Sequence, residues 1–312
     1  MFTDPPQEYT PVDCWWWESG SLDNDRMRIQ LEEYQKQGIG GTFYYPRFLL
    51  GEEHGSDPAY WSEQWWRFMS YSMTQHENLG LKAWLSDWSW FQFTQDQLRA
   101  DITQQPELLG HSLTIHQETM DTSKTSNKVT IKIPDGAELL AAGVYAENES
   151  TDAVDPSSWR DLSNMVVESC LDWQASAGRW GIYVITSEPY DLDFLNPAVS
   201  ERWIDLLLGE YERRLGPHMG KTFEAYGTDE LPVLTGRIPI TKGMIDKFRN
   251  TKGYDQRRYI AGLFRDIGDS TPKIRCDFYD VMVTLLDHNL YRPFAEWLHK
   301  RGMQYVELCP LG

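Results

Sequence analysis

Residues 11–45, PVDCWWWESGSLDNDRMRIQLEEYQKQGIGGTFYY, decide how the chain is read. Pro11 to Trp17 is a largely apolar run of strand length, and Gly20 follows it. The Asp-rich start at Asp23 and Asp25 suits a helix cap, and Met27, Leu31 and Tyr34 then recur at helical spacing while Glu32 and Glu33 face elsewhere. Gly38 supplies a C-terminal stop, and a second apolar run, Ile39 to Tyr45, begins at once. Strand, helix and strand in so short a span predict two parallel strands joined by a helical crossover.

The same rhythm extends outward. A polar loop leads through Trp61 into a helix running to about Asn78 before Gly80, and Leu81 to Trp88 reads as a third strand. From His111 to about Tyr190 alternation takes over, with Val129, Ile131 and Ile133 on one face and Thr130 and Lys132 on the other. Turns rich in Asn, Ser, Thr and Asp, such as Glu147 to Ser158, separate these runs. Helical pattern returns at Asn196-Pro197 and reaches Leu215-Gly216. Thr222 to Thr228 reads as a fourth strand, a long helix spans about Cys276 to Lys300 after two shorter helical stretches, and Met303 to Leu308 reads as a fifth strand.

The predicted fold class is α/β, a (β/α)8-type TIM barrel that is incomplete at about five strands, with a small antiparallel β insertion. Residues 1–110 form the first half of the barrel, 111–190 the β-rich insertion, and 191–312 the continuation. A closed barrel needs eight strands, so the protein is expected to continue past Gly312, where the fifth strand would otherwise stand as an apolar parallel edge. An open α/β sheet with its own closure is the alternative.

Bulk composition narrows the function. A formal net charge of -18 argues against a nucleic-acid partner, which needs a basic surface. No apolar run is long enough to span a bilayer, and Met1-Phe2-Thr3-Asp4-Pro5-Pro6 lacks the basic and apolar regions of a signal peptide, so the chain reads as soluble with no membrane partner. Neither compartment nor oligomeric state can be read from it. Cys14, Cys170, Cys276 and Cys309 are scattered without metal or redox spacing, and buried thiols are expected. His54, His76 and His116 have no partner at ligand spacing and read as hydrogen-bonding groups. The 14 Trp and 16 Tyr include flat faces suited to sugar rings, although most should serve packing.

The strongest chemical signal is Tyr226-Gly227-Thr228-Asp229-Glu230-Leu231-Pro232, two carboxylates where the fourth strand meets its loop. Reactive groups of parallel barrels project from the C-terminal strand ends. Cleaving a glycosidic bond needs a carboxylic acid to protonate the leaving oxygen, and the charge of Asp229 would help keep Glu230 protonated. The plainer alternative is that the pair caps the following turn. Other strand ends supply candidate substrate-binding residues: Trp17, Glu18, Arg47, Asp87 and Trp88, with Trp17 and Trp88 as stacking rings, Glu18 accepting hydroxyl hydrogen bonds and Arg47 orienting it. Alternate members of Trp15 to Trp17 must point to opposite layers, so at least one of them is packing.

Several ordered landmarks resemble glycoside hydrolase family 106, the α-L-rhamnosidases and their relatives. They are Pro11 to Gly20, Arg28 to Gly41, Trp61-Ser62-Glu63-Gln64-Trp65-Trp66, Asp193-Phe194-Leu195-Asn196-Pro197, and Gly220-Lys221-Thr222 leading to Thr228-Asp229-Glu230. The resemblance implies a (β/α)8 catalytic domain, a carbohydrate substrate, hydrolysis with inversion by two carboxyl groups, and calcium near the site in rhamnosidase members. Carried onto this sequence, it makes Glu230 the general acid. It places the second carboxyl on a late strand, expected beyond Gly312, and leaves Glu307 as a weaker substitute. Calcium is the one cofactor it suggests; no contiguous calcium loop is present, and the acidic loop at Asp191 and Asp193 is the candidate contributor. The competing expectation is a non-catalytic carbohydrate-binding protein on a degenerate barrel.

Overall fold

The computed structural model describes residues 6, 9–17, 21–46, 58, 61–88, 98–147, 154, 156–229 and 236–308, with Pro46, Asp87, Trp88, Asp229, Glu307 and Leu308 described by backbone alone. The chain is mixed α/β with several sheets and divides into two units, residues 1–100, 200–232 and 291–312 in one, and 101–199 and 233–290 in the other. No helix among the described residues is long and apolar enough to cross a membrane.

The first unit holds a five-stranded sheet in sequence order: β1 (Val12–Trp17), β2 (Gly41–Pro46), β3 (Lys82–Trp88), β4 (Phe223–Asp229) and β5 (Gln304–Leu308). Every neighbouring pair is parallel. Helix α1 (Asn24–Lys36) starts where the Asp23 carboxylate accepts the Arg26 amide at 2.9 Å, and Gly38 follows its end at φ 78°. Helix α2 (Glu63–Leu79) starts at Ser62, whose hydroxyl accepts the Trp65 amide, and stops at left-handed Gly80. Helix α1 buries Met27 and Leu31 of its predicted face, with Tyr34 half-buried, and α2 buries Trp65, Met69, Met73 and His76.

Strand alternation divides the tryptophan run. Trp15 and Trp17 are buried against Tyr44, and Trp17 also meets Trp65 of α2, whereas Trp16 is 42% exposed and lies beside Tyr45. That second face carries Phe43, Tyr45, Val12 and Trp84. Gly227 belongs to it as well: a Cβ there would stand 2.9 Å from Phe43 Cζ, so only glycine lets the Phe43 ring lie across β4. Cys14, next to Trp16 in the alternation, is exposed, as is Cys276 on its helix, which corrects the expectation of buried thiols; Cys170 is half-buried and Cys309 lies outside the described residues.

Beneath the first face sits a polar cluster that pins β2 to α2. Thr42 Oγ1 lies 2.8 Å from His76 Nε2, His76 Nδ1 is 2.8 Å from the Ser72 carbonyl, and Tyr44 and Ser72 share a short hydroxyl contact. All four side chains are buried. Nδ1 therefore donates to the carbonyl, which leaves Nε2 to accept from Thr42.

The second unit is built on antiparallel pairing. Leu109–Asp121 and Glu138–Ala146 flank the long strand Arg179–Leu192, with Arg160–Asp161 and Ile238–Ile240 at the edges. A three-stranded sheet joins Lys128–Lys132, Cys170–Gln174 and Val166–Val167. Val129, Ile131 and Ile133 pack into a core with Ile182, Val184, Trp173 and Trp180, so the alternation read from sequence has its predicted face inward. Residues 233–290, placed by sequence in the barrel continuation, group with this unit: Ile238 to Ile240 pair with Leu113 to His111.

The long helix predicted near the C-terminus is present, and it carries a π turn, Asp287–Tyr291, between Thr271–Leu286 and Arg292–His299. Pro293 accounts for the π turn, because it has no amide to donate one turn back. Elsewhere in the second unit Gln256 is fully buried, and neither of its amide atoms has a hydrogen-bond partner. Gln256→Met, which keeps the shape and removes the orphaned polar atoms, is expected to raise stability by about 1–3 kcal/mol in denaturant unfolding; a loss of stability would mean that the amide is satisfied in solution.

Candidate active site

Parallel pairing brings all five C-terminal strand ends to one rim of the first unit's sheet. The register sets Asp87 beside Thr228 and Thr228 beside Glu307, then Trp88 beside Asp229 and Asp229 beside Leu308. Trp17, at the end of β1, is paired with Pro46 at the end of β2. By strand alternation Asp87, Thr228 and Glu307 occupy one face of the sheet at this rim, and Trp88, Asp229 and Leu308 the other.

The β4 end is held rigidly. Thr228, fully buried, shares a 2.6 Å hydroxyl contact with Tyr305 of β5. Tyr305 stacks on Phe294 with centroids 5.9 Å apart, Phe294 stacks on Tyr226, and Trp203 meets Phe294 edge-on. The ring stack packs against the end of β4 at Thr228.

The predicted site residues fall as follows. Trp17 is 4% exposed with its ring among Trp15, Tyr44 and Trp65 and its Nε1 buried, so it serves packing and offers no face for the expected stacking on a sugar. Asp87 and Trp88 are the last two residues of β3, and Asp229 is the last of β4. Glu18, Arg47 and Glu230 directly follow β1, β2 and β4 and lie outside the described residues, as does His54. Sequence reasoning passed over Ser86, 1% exposed one residue before Asp87, whose hydroxyl has no partner. Its position in Ser86-Asp87-Trp88 was the available signal; the isolation of the hydroxyl emerges only from the packing.

His76 and His116 are hydrogen-bonding histidines, as expected. His116, in the second unit, places Nε2 3.2 Å from both Thr186 Oγ1 and Glu188 Oε1.

A model of the α-L-rhamnosidase family, glycoside hydrolase family 106, matches residues 137–309, more than half of the 312. The chain belongs to this family. The match takes in β4, β5 and most of the second unit; the landmarks quoted from residues 11–66 precede it. In structure, the chain resembles the rhamnosidase from Novosphingobium sp. PP1Y, with a TM-score of 0.62, 14% identity, and coverage of 98% of this chain and 46% of that one. It thus spans about half the length of that relative. Weaker likeness, at a TM-score of 0.43, links it to β-galactosidases from the psychrophilic Marinomonas ef1 (12% identity, 95% of this chain, 37% of that one) and from the Antarctic haloarchaeon Halorubrum lacusprofundi (9% identity, 96% and 36%). No curated protein matches the sequence.

Calcium, implied by the family, has no fitting ligand set among the described residues, where no three His, Cys, Asp or Glu side chains converge. Asp193, one of the two candidates, is committed elsewhere: Oδ2 accepts from Thr241 Oγ1 at 2.5 Å and Oδ1 from the Leu195 amide at 3.2 Å. Burial pushes its carboxyl up to about 6, and the two hydrogen bonds only partly offset this. Because the folded value lies above the unfolded 3.8, the stabilising contribution is fully present below 3.8 and is lost as pH rises through about 6. The stability difference between wild type and Asp193→Asn should therefore move against the wild type by up to about 3 kcal/mol over that window. A pH-independent difference would show that Asp193 titrates normally.

Proposed function

We propose that this protein is a glycosidase that removes terminal α-L-rhamnoside-type units by carboxyl acid and base catalysis, on a (β/α)8-type barrel of which β1 to β5 are the first strands. Family membership supports the carbohydrate substrate and the reaction class. The observation that carries the reading is the register of the parallel sheet, which aligns the ends of β3, β4 and β5 where Asp87, Trp88, Asp229 and Glu307 fall.

In this reading Glu230 gives its proton to the departing glycosidic oxygen as the bond to the anomeric carbon breaks. Asp229, next in the chain, disfavours ionisation of Glu230 before the sugar binds. Trp88, Glu18, Arg47 and Asp87 hold the sugar from neighbouring strand ends and loop starts. The second carboxyl, which activates water for attack on the opposite face of the ring, belongs to a later strand beyond residue 312, and the protein is expected to need that sequence for turnover.

The test is hydrolysis of a panel of aryl glycosides by the protein extended past residue 312, with and without a calcium chelator. The α-L-rhamnoside is expected to be cleaved in preference to the α- and β-glycosides of other hexoses. Absence of turnover on every member would overturn the proposal.

A further inference from the structure

The second unit contains a cleft of its own. Tyr254, Tyr259, Ser270, Lys273 and Ile274 line about 280 Å³, just below the range of roughly 300–1,000 Å³ usual for drug-sized ligands and of a size for one sugar ring. Tyr254 and Tyr259 form two of its walls, both half-buried, with ring centroids 5.7 Å apart at 83°. Each ring therefore presents a different surface to whatever occupies the space between them.

Around the cleft two lysines, Lys252 and Lys273, are balanced by two carboxylates, Asp277 and Asp280, the latter 2.5 Å from Lys252 Nζ. Lys273 Nζ stands 4.4 Å above the Tyr254 ring and is ion-paired with Asp277. Tyr254 donates its hydroxyl to the same carboxylate at 2.8 Å, and Lys252 reaches it at 3.4 Å. An anion approaching Lys273 meets Asp277, whereas a cation approaching Asp277 meets two lysines. A neutral ring bearing hydroxyls meets donor and acceptor groups together with aromatic surface, the combination that suits a sugar.

We propose that this cleft is a monosaccharide-binding subsite that takes a neutral pyranose, with its C–H face against Tyr259 and its hydroxyls toward Lys273 Nζ and Ser270 Oγ. The choice of ligand class rests on the glycosidase reading above, but the site makes no use of Glu230 or the strand-end rim. It would hold a sugar without cleaving it.

The test uses the Glu230→Gln protein and the methyl pyranosides of L-rhamnose, D-glucose and D-galactose, with binding followed by saturation-transfer NMR and calorimetric titration. At least one pyranoside is expected to bind, and Tyr259→Ala is expected to weaken that binding at least about tenfold. Lys273→Met, on an exposed helical position that leaves folding intact, should weaken it in the same direction. In the otherwise wild-type protein, neither substitution should change kcat on a small aryl rhamnoside. Binding of none of the three sugars, or binding unchanged in both folded variants, would overturn the subsite. If no glycoside is hydrolysed but Tyr259→Ala still abolishes sugar binding, the glycosidase reading fails and the subsite stands.

Discussion

Glu230→Gln is expected to lower kcat on α-L-rhamnosides with poor leaving groups at least about a hundredfold, the low end of what a positioned proton donor contributes. An alkoxide leaving group must be protonated as its bond to the sugar breaks, and glutamine can hydrogen-bond to that oxygen without supplying the proton. A dinitrophenyl rhamnoside departs as a stable anion and should lose far less. That contrast separates a lost acid from a disturbed fold. The variant should also lose the basic limb of the pH profile, which reports ionisation of the acid. Equal losses on both substrates would point to misfolding, and unchanged turnover on the poor leaving group would remove Glu230 from the mechanism.

Acidification is expected to destabilise the first unit through His76. Burial lowers the imidazole from 6.5 to about 4, the Ser72 carbonyl only partly opposing it, so the fold binds the neutral ring. A base whose folded value is depressed contributes stability that is complete above the unfolded value of 6.5 and is lost as pH falls toward about 4. The shift corresponds to about 3 kcal/mol. Protonation would give Nε2 a hydrogen, forcing Thr42 to turn its hydroxyl, and would put a charge between Trp15 and Tyr44, with no carboxylate among the hydrogen-bond partners of the ring. The measurement is unfolding free energy against pH for wild type and His76→Gln, with imidazole NMR to follow the titration. Parallel curves for the two proteins, or an imidazole that titrates near 6.5, would refute the assignment. Asp193 acts in the opposite sense in the second unit, so probes specific to each unit should report opposite pH trends.

Much of the local architecture was legible because it is written in periodicity and punctuation. The 3.6-residue spacing of Met27, Leu31 and Tyr34 gave α1, and Asp23 and Gly38 gave its ends. The two-residue spacing of Val129, Ile131 and Ile133 gave a strand and its buried face. Three apolar runs separated by two helical patterns gave a parallel sheet, and with it the expectation that Asp87, Asp229 and Glu307 lie near one rim. The π turn at Asp287–Tyr291 was also within reach, since Pro293 was visible, although helical spacing on both sides concealed it.

Sequence alone determined the strand-and-helix order of the first unit, the alternation in the second, the caps, and the carboxylate pair at Asp229-Glu230. Tertiary structure decided which tryptophans are packing and which is exposed, because Trp15, Trp16 and Trp17 are alike in sequence and differ only in which face of β1 they occupy. It also decided that His76 answers Thr42, that Asp193 is spent on Thr241, that residues 233–290 join the antiparallel unit, and that Tyr254, Tyr259 and Lys273 enclose a cleft. The physical reason is range: backbone period and capping act within a few residues, while desolvation, hydrogen-bond partners and cavity walls are set by groups brought together only when the chain has folded.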